Sequence, residues 1–379
     1  MSHLYIQNAA AIGPLGQNLD EIWERVLEGR TAYGRVELSG SREFFAAETF
    51  PGYASDPKTY APLFYEAITR LVADLKIETP VDAIFFATAV GNLADAENDI
   101  YSGHELGLEK LDFAAVEDLF RKTPAWGEKT RFICVPTGCC AGLQALGLAQ
   151  KTMPYLGLCR AIVMSLDFGL SPLALEAFRK INATAVFDDQ VKASPSRPFC
   201  KERDGFLFSD GGGAVLVSVE RSVEPMPRIT GYGCVSSAYH MTDIAIDGSS
   251  IRESIEQALL MSGLKPSQIG HVNLHASGTV QNDQAEYQAL TDLIGSELPP
   301  ITAFKGNHGH ALGGSNMLEI ALTWKMMREE IVPPTPNKLL VDAFDSVQPR
   351  DLSGPLTNRT TLKTASGFSG IHASVIMEL

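Results

Sequence analysis

Cysteine, positive charge and long apolar runs are all scarce in this chain of 379 residues. The six cysteines (Cys134, Cys139, Cys140, Cys159, Cys200 and Cys234) show no framework spacing, which argues against a disulfide-stapled secreted fold. Thirty-one Lys and Arg against forty-five Asp and Glu leave a net charge of −14, which excludes the broadly basic surface of a nucleic-acid binder. No stretch approaches about 18 consecutive uncharged apolar residues, so no membrane-spanning helix is expected. The opening MSHLYIQNAAAIGPLG has neither the basic flank nor the apolar stretch of a secretory signal. Tandem repeats of about 20 to 50 residues are absent, which argues against a solenoid or propeller. What is plentiful is apolar side chain, 45% of the residues, with only 20% charged. Such a chain buries a large core and is not mainly disordered. Its length corresponds to roughly two or three domain-sized units. The expectation is an α/β protein of a reducing compartment, the cytoplasm, and the thin surface charge leans towards an oligomer.

Short apolar or β-branched runs alternate with amphipathic stretches. Strands are expected at Leu4–Ile6, Ala83–Thr88, Arg131–Val135, Ala161–Ser165, Gly213–Val219, His271–His275 and Ala373–Glu378. Helical patterns lie at Leu19–Leu27, Tyr60–Leu75, Gly142–Met153, Ser254–Met261, Ala285–Ile294 and Met317–Arg328. This alternation predicts a mostly buried sheet covered by helices. A strand, a Gly-rich turn and a small-residue helix occur twice, in VPTGCCAGLQAL and FKGNHGHALGGSNMLEIAL, hinting at a duplication. The break falls near Glu220–Pro227, giving halves 1–222 and 223–379.

Three segments carry candidate chemistry, and two further glycine-rich ones need weighing. In Val135-Pro-Thr-Gly-Cys-Cys-Ala-Gly142 a strand runs through a tight turn into a helix. Gly138 permits the turn, Thr137 is a candidate cap, and a thiol at the helix start should have a lowered pKa. A buried structural cysteine is the plainer reading, and chemistry alone does not choose between Cys139 and Cys140. His275 closes an apolar strand before Ala-Ser-Gly-Thr279, where open α/β sheets build their sites; a core histidine is an equal reading. His308 and His310 crowd the turn Lys305-Gly-Asn-His-Gly-His310. A metal site there lacks a completing ligand set and has Lys305 beside it, so acid/base or oxyanion chemistry fits better. Ser209-Asp-Gly-Gly-Gly-Ala214 lacks the Lys-Ser/Thr of a phosphate loop, and Ser366-Gly-Phe-Ser-Gly370 by itself is a turn.

Together these segments resemble the β-ketoacyl-[acyl-carrier-protein] synthases, condensing enzymes of the thiolase fold. Thr137-Gly-Cys-Cys-Ala-Gly142 is similar to T-A-C-x-S/A-G, which singles out Cys139. His275-Ala-Ser-Gly-Thr279 with Asp283 and Glu286 resembles H-G-T-x-T…D-x-x-E. Lys305 to His310, with Gly313 and Glu319, resembles K-x-x-x-G-H…G-A-A-G…E and gives the catalytic place to His310 rather than His308. Ser196–Phe206, Pro333–Asn337, Gly367-Phe-Ser-Gly370, Gly13-Pro-Leu-Gly16 and Trp23 extend the likeness over nearly the whole chain. Two histidines point to the elongating branch. The chain departs from the pattern at Cys200, Ala276, Ile371 and His372, and in Gly103–Lys129, as a divergent polyene or polyketide-type member would.

The resemblance implies two pseudo-duplicated halves in a five-layered αβαβα arrangement. It also implies decarboxylative Claisen condensation in fatty-acid or polyketide-type elongation. Cys139 would hold the acyl group, and His275 and His310 would act on the malonyl thioester. The amides of Cys139 and Phe368 would form the oxyanion hole. Lys305 and Glu319 would pair behind the histidines, with Asp283 and Glu286 supporting and Phe368 gating. No cofactor is implied, since substrates ride on the phosphopantetheine of acyl carrier protein. That protein and a second copy of the chain would be the partners. The alternative is a non-catalytic chain-length factor in a heterodimer, but such partners typically lack the cysteine or a histidine. Because carrier proteins are acidic, a chain of charge −14 would need a local basic patch at the tunnel mouth.

Overall fold

The computed structural model describes residues 3–38, 42–105, 112–186, 194–221, 224–334, 336, 344 and 352–379. The expected break at 222/223 lies outside the described residues, as do Thr335 and Asn337 of the Pro333–Asn337 segment and 106–111 of Gly103–Lys129.

The first part of the chain runs β1 (Leu4–Ile12), α1 (Leu19–Leu27), β2 (Gly34–Leu38), β3 (Arg42–Ala47), α2 (Tyr60–Asp74), β4 (Ala83–Thr88), α3 (Leu93–Tyr101) and α4 (Ala114–Arg121). It continues with β5 (Arg131–Pro136), α5 (Ala141–Thr152), β6 (Arg160–Asp167), α6 (Pro172–Lys180), β7 (Phe208–Ser209) and β8 (Gly211–Ser218). The second part comprises β9 (Arg228–Ser236), α7 (Ser249–Ser262), β10 (His271–Asn273), α8 (Val280–Ile294), β11 (Ile301–Thr302) and α9 (Lys305–His308). After these come α10 (Gly314–Glu329), β12 (Ile331–Val332), β13 (Gly354–Pro355), β14 (Thr360–Gly367) and β15 (Ile371–Glu378).

Ten strands form one continuous sheet in the order β11-β10-β14-β15-β9-β1-β8-β6-β4-β5. The first five in chain order are β1, β4, β5, β6 and β8, and they lie side by side as third, second, fourth, fifth, first. The remaining five repeat that order from β9. The two sets join where Leu4 and Tyr5 pair with Ile229 and Arg228, and Ile6 N–H donates to the Pro227 carbonyl beside them at 2.8 Å. This is the duplicated α/β layering expected of a thiolase-like fold.

Burial explains the layers. α5 and α10 lie between the two sets of strands, and their Leu143, Leu146, Met317 and Ile320 share one core with β1, β8 and β15. α10 is buried on nearly every side, as a helix covered all round must be. A second core lies under α2 on the outer face of the first set, and a third under α7 and α8 on the outer face of the second. Each fully buried aliphatic side chain in these cores contributes about 1.5–3 kcal/mol.

Most expected elements fall where the pattern put them, including Leu19–Leu27 and Ala83–Thr88. Two long strands were not legible. β9 carries two glycines because α7 packs against it. A Cβ at Gly231 would stand 2.1 Å from the Ala258 carbonyl oxygen, and one at Gly233 would stand 2.0 Å from that of Ser254. β14 reads Thr-Thr-Leu-Lys-Thr-Ala-Ser-Gly, with a lysine in its middle, yet all but its first residue are buried.

Candidate active site

The turn that carries Cys139 and Cys140 follows β5. Gly138 takes φ +94°, a left-handed value that a side chain would strain, and its carbonyl accepts from Ala141 N–H at 2.9 Å. The two cysteines part company here. Cys140 donates to the Ile371 carbonyl at 3.3 Å and packs in the central core, whereas Cys139 faces a cavity. Thr137 does not cap α5; its hydroxyl bonds the Gln144 side chain instead. The thiol also departs from expectation. Burial and the nearby Asp167 carboxylate push Cys139 up to about 12, outweighing Lys305 and the Phe368 and Cys139 amides that face the sulfur. At neutral pH it is therefore a thiol.

His275 lies two residues beyond β10, on a backbone held by carboxylates. Its N–H donates to Glu286 Oε1 at 2.8 Å and Thr364 Oγ1 at 3.1 Å, and Ala276 N–H donates to Glu286 Oε2 at 2.6 Å. Asp283 accepts from Gly278 N–H at 3.2 Å and Phe199 N–H at 2.8 Å, with Arg203 Nε 3.6 Å away. Both acids sit in the first turns of α8, fully buried, and shape the loop rather than face the cavity. Burial pushes Asp283 up to about 7 in spite of those donors.

His310 is pinned to β7: its N–H donates to the Leu207 carbonyl at 2.7 Å, and its own carbonyl accepts from Ser209 N–H at 3.1 Å. Ser315 Oγ accepts from Ala311 N–H at 2.8 Å and lies 3.3 Å from His310 Nδ1. With the hydroxyl proton directed to Nδ1, the imidazole carries its own proton on Nε2. The His275 and His310 rings meet edge to face at 5.1 Å, and Phe206 lies 5.0 Å from His310 on the other side. Burial, reinforced by the positive Lys305, holds both imidazoles well below their usual range.

His308 turns away, its Nε2 3.6 Å from Glu319 Oε1. Glu319 is the centre of a fully buried charge cluster, with Lys305 Nζ at 2.6 Å from Oε1 and Lys363 Nζ in contact with Oε2. Burial pushes Glu319 up, but the two ammoniums outweigh it and keep the carboxyl well below the carboxylate range. Lys363 was not singled out in the sequence. Its only signal was an ionisable residue in the middle of an otherwise buried strand.

Cys139, His275, His310, Phe206, Ile244 and Phe368 line one narrow cavity of about 40 Å³. Phe368, stacked on Phe178 at 6.0 Å, also lines the outer vestibule of about 570 Å³, so it stands between the two. The charged side chains lining that vestibule are Asp204 and Asp243, with no lysine or arginine among them. Among the described residues the expected basic patch is therefore not in the mouth's lining. Next to it the segment 239–246 exposes Tyr239, Met241 and Ile246.

Comparison with known proteins shows what the chain is similar to. Residues 226–338 match the beta-ketoacyl synthase C-terminal domain. The chain is 29% identical, over 98% of its length and 97% of the relative's, to a protein named polyketide beta-ketoacyl synthase 1 from Streptomyces cyaneus. It is 26% identical to a mitochondrial 3-oxoacyl-[acyl-carrier-protein] synthase from Schizosaccharomyces pombe, over 99% of this chain and 98% of that one. Among solved structures, a type II polyketide ketosynthase in complex with its acyl-carrier protein superposes with TM-score 0.88 at 24% identity, covering 100% and 99% of the chains. A ketosynthase with its chain length factor from Xenorhabdus doucetiae gives 0.75 at 18%, covering 100% and 98%. The chain therefore has the fold of the ketosynthases and is similar over nearly its whole length to β-ketoacyl synthases, with their C-terminal domain matched at residues 226–338.

Proposed function

We propose that the protein is a β-ketoacyl-[acyl-carrier-protein] synthase that elongates an acyl chain held on Cys139 by two carbons. The observation that carries this is the convergence of one thiol, two imidazoles and Phe368 on a single buried cavity. Cys139 attacks the thioester of an acyl-carrier protein, its proton passes to the departing phosphopantetheine sulfur, and an acyl-cysteine forms. The Cys139 and Phe368 amides that face the sulfur are placed to bind the oxyanion, an interaction strongest where water is excluded. Malonyl-carrier protein then loses carbon dioxide. His310, donating through Nε2, and His275 stabilise the enolate oxygen, and neutral imidazoles suit that donor role. The enolate carbon attacks the acyl carbonyl and expels the Cys139 thiolate, which takes a proton from water. The product leaves as a β-ketoacyl thioester on the carrier.

Phe368 lines both cavity and vestibule, which supports a gating role between the two half-reactions. No cofactor enters beyond the carrier's phosphopantetheine, and we place the reaction in the cytoplasm. The chain pairs with a second copy, or with a homologous chain, through β5. That strand ends the sheet with half-buried Phe132, Ile133, Cys134 and Val135 along an edge that pairs only with β4 among the described residues. The presence of all three reactive side chains speaks against a purely tunnel-shaping chain-length factor.

Intact-mass measurement after incubation with acyl-carrier protein tests the assignment. Cys139→Ala should abolish acylation and Cys140→Ala should retain it. Persistent acylation of the Cys139→Ala variant would refute the proposal.

A further inference from the structure

The mechanism leaves one buried cation without a task. Lys363, in the middle of β14, is fully buried, and its Nζ contacts Glu319 Oε2 while donating to the Thr364 carbonyl at 2.8 Å and the Leu274 carbonyl at 3.3 Å. Leu274 immediately precedes His275. The Thr364 hydroxyl accepts from His275 N–H at 3.1 Å and donates to Glu286 Oε1 at 2.7 Å. Lys305, which holds the other Glu319 oxygen, begins the turn that ends at His310. One carboxylate is thus gripped by two ammoniums, one bonded to the segment that bears each histidine.

We infer that Lys363 is a positioning residue for malonyl decarboxylation, fixing the backbone that carries His275 relative to the turn that carries His310 through their shared carboxylate. This rests on the function proposed above. Its charge acts in the same direction as its geometry. The ionisable groups around His275 are Lys305, His308 and His310 on one turn, Lys363 on β14, His372 on β15, Glu319 on α10, and Asp283 and Glu286 on α8. Two ammoniums on Glu319 leave a net positive charge beside both imidazoles, which disfavours their protonation and preserves them as neutral donors.

The test is Lys363→Met, which keeps chain length and removes the charge. Three readouts are compared with the wild type: carbon dioxide release from malonyl-carrier protein, acylation of Cys139 by acyl-carrier protein, and histidine titration by nitrogen-15 NMR. Decarboxylation should fall about 10- to 100-fold, the loss expected when a reacting group shifts by a fraction of an ångström to one ångström. Acylation should stay within about twofold, and the His275 and His310 titrations should move to higher pH. Equal losses in both half-reactions, unchanged decarboxylation, or unmoved titrations would overturn the inference. If the methionine variant does not fold, Lys363→Gln is read in the same three ways. A wild type that neither acylates Cys139 nor releases carbon dioxide refutes the proposed function, and the titration shift still decides the role of Lys363.

Discussion

Replacing Glu319 with glutamine isolates the buried charge cluster from the rest of the fold. The change keeps size and shape but strips the counter-ion from Lys305 and Lys363, both fully buried. Removing one partner of a buried ion pair costs about 3–5 kcal/mol, because the charge left behind has lost both water and its partner. Lys363 offers partial relief: burial already lowers it to about 8, so without the carboxylate it sheds its proton near neutrality. The unfolding entropy of about 2.1 cal/mol/K per residue gives roughly 0.8 kcal/mol/K for this chain, so Tm should fall by about 4–6 °C at pH 7. The deficit should shrink at pH 9, where a neutral Lys363 needs no partner. Sign follows from proton counts. Between about 8 and the unfolded lysine value the unfolded chain binds the extra proton, so stability attributable to Lys363 rises with pH. Thermal melts of both proteins at the two pH values are the assay. A Tm within one degree of wild type at pH 7, or a deficit that widens with pH, would refute the reasoning.

Ala276→Gly should stabilise the protein by about 0.5–1 kcal/mol, because Ala276 sits at φ +44° where a side chain is strained, while glycine gives back part of the gain as chain entropy. Chemical denaturation would register it, and a loss of stability would contradict the strain. Alkylation of Cys139 by iodoacetamide should keep accelerating about tenfold per pH unit through pH 10, since burial pushes the thiol up to about 12; a plateau near pH 8 would show an activated thiolate instead. His310→Ala should stop carbon dioxide release from malonyl-carrier protein yet leave Cys139 acylation measurable, and Ser315→Ala should lower release about tenfold by freeing the imidazole tautomer. Undiminished release from His310→Ala would remove His310 from the mechanism. Because Asp204 and Asp243 line the mouth, charge reversal to Lys at both should strengthen capture of an acidic carrier protein, most visibly at low salt; unchanged affinity would place docking elsewhere.

The residues that line the candidate cavity were more legible in the sequence than the framework that holds them. Cys139, His275 and His310 lie on strand–turn–helix patterns with glycine at the bends, and local chemistry shows through such patterns. Apolar periodicity likewise exposed β4, β6 and α1. It did not expose β9, whose glycines exist because a helix approaches within van der Waals range, nor β14, where a lysine interrupts the pattern. In both, the deciding neighbour is far away in the chain. The same holds for Cys139's pKa. A helix start argued for a lowered value, but tertiary burial outweighs it. Lys363 stayed hidden because its counter-charge, Glu319, is remote in sequence.

The duplicated strand order also relates the reacting groups to each other. Cys139 follows β5 and opens α5; His310 follows β11 and precedes α10, and these strands are the third of each set. The Cys139 thiol and the His310 imidazole therefore stand at corresponding corners of two copies of one plan. The helices that follow the two corners, α5 and α10, pack against each other in one shared core, so a change of side-chain volume at either corner is transmitted to the other through that packing.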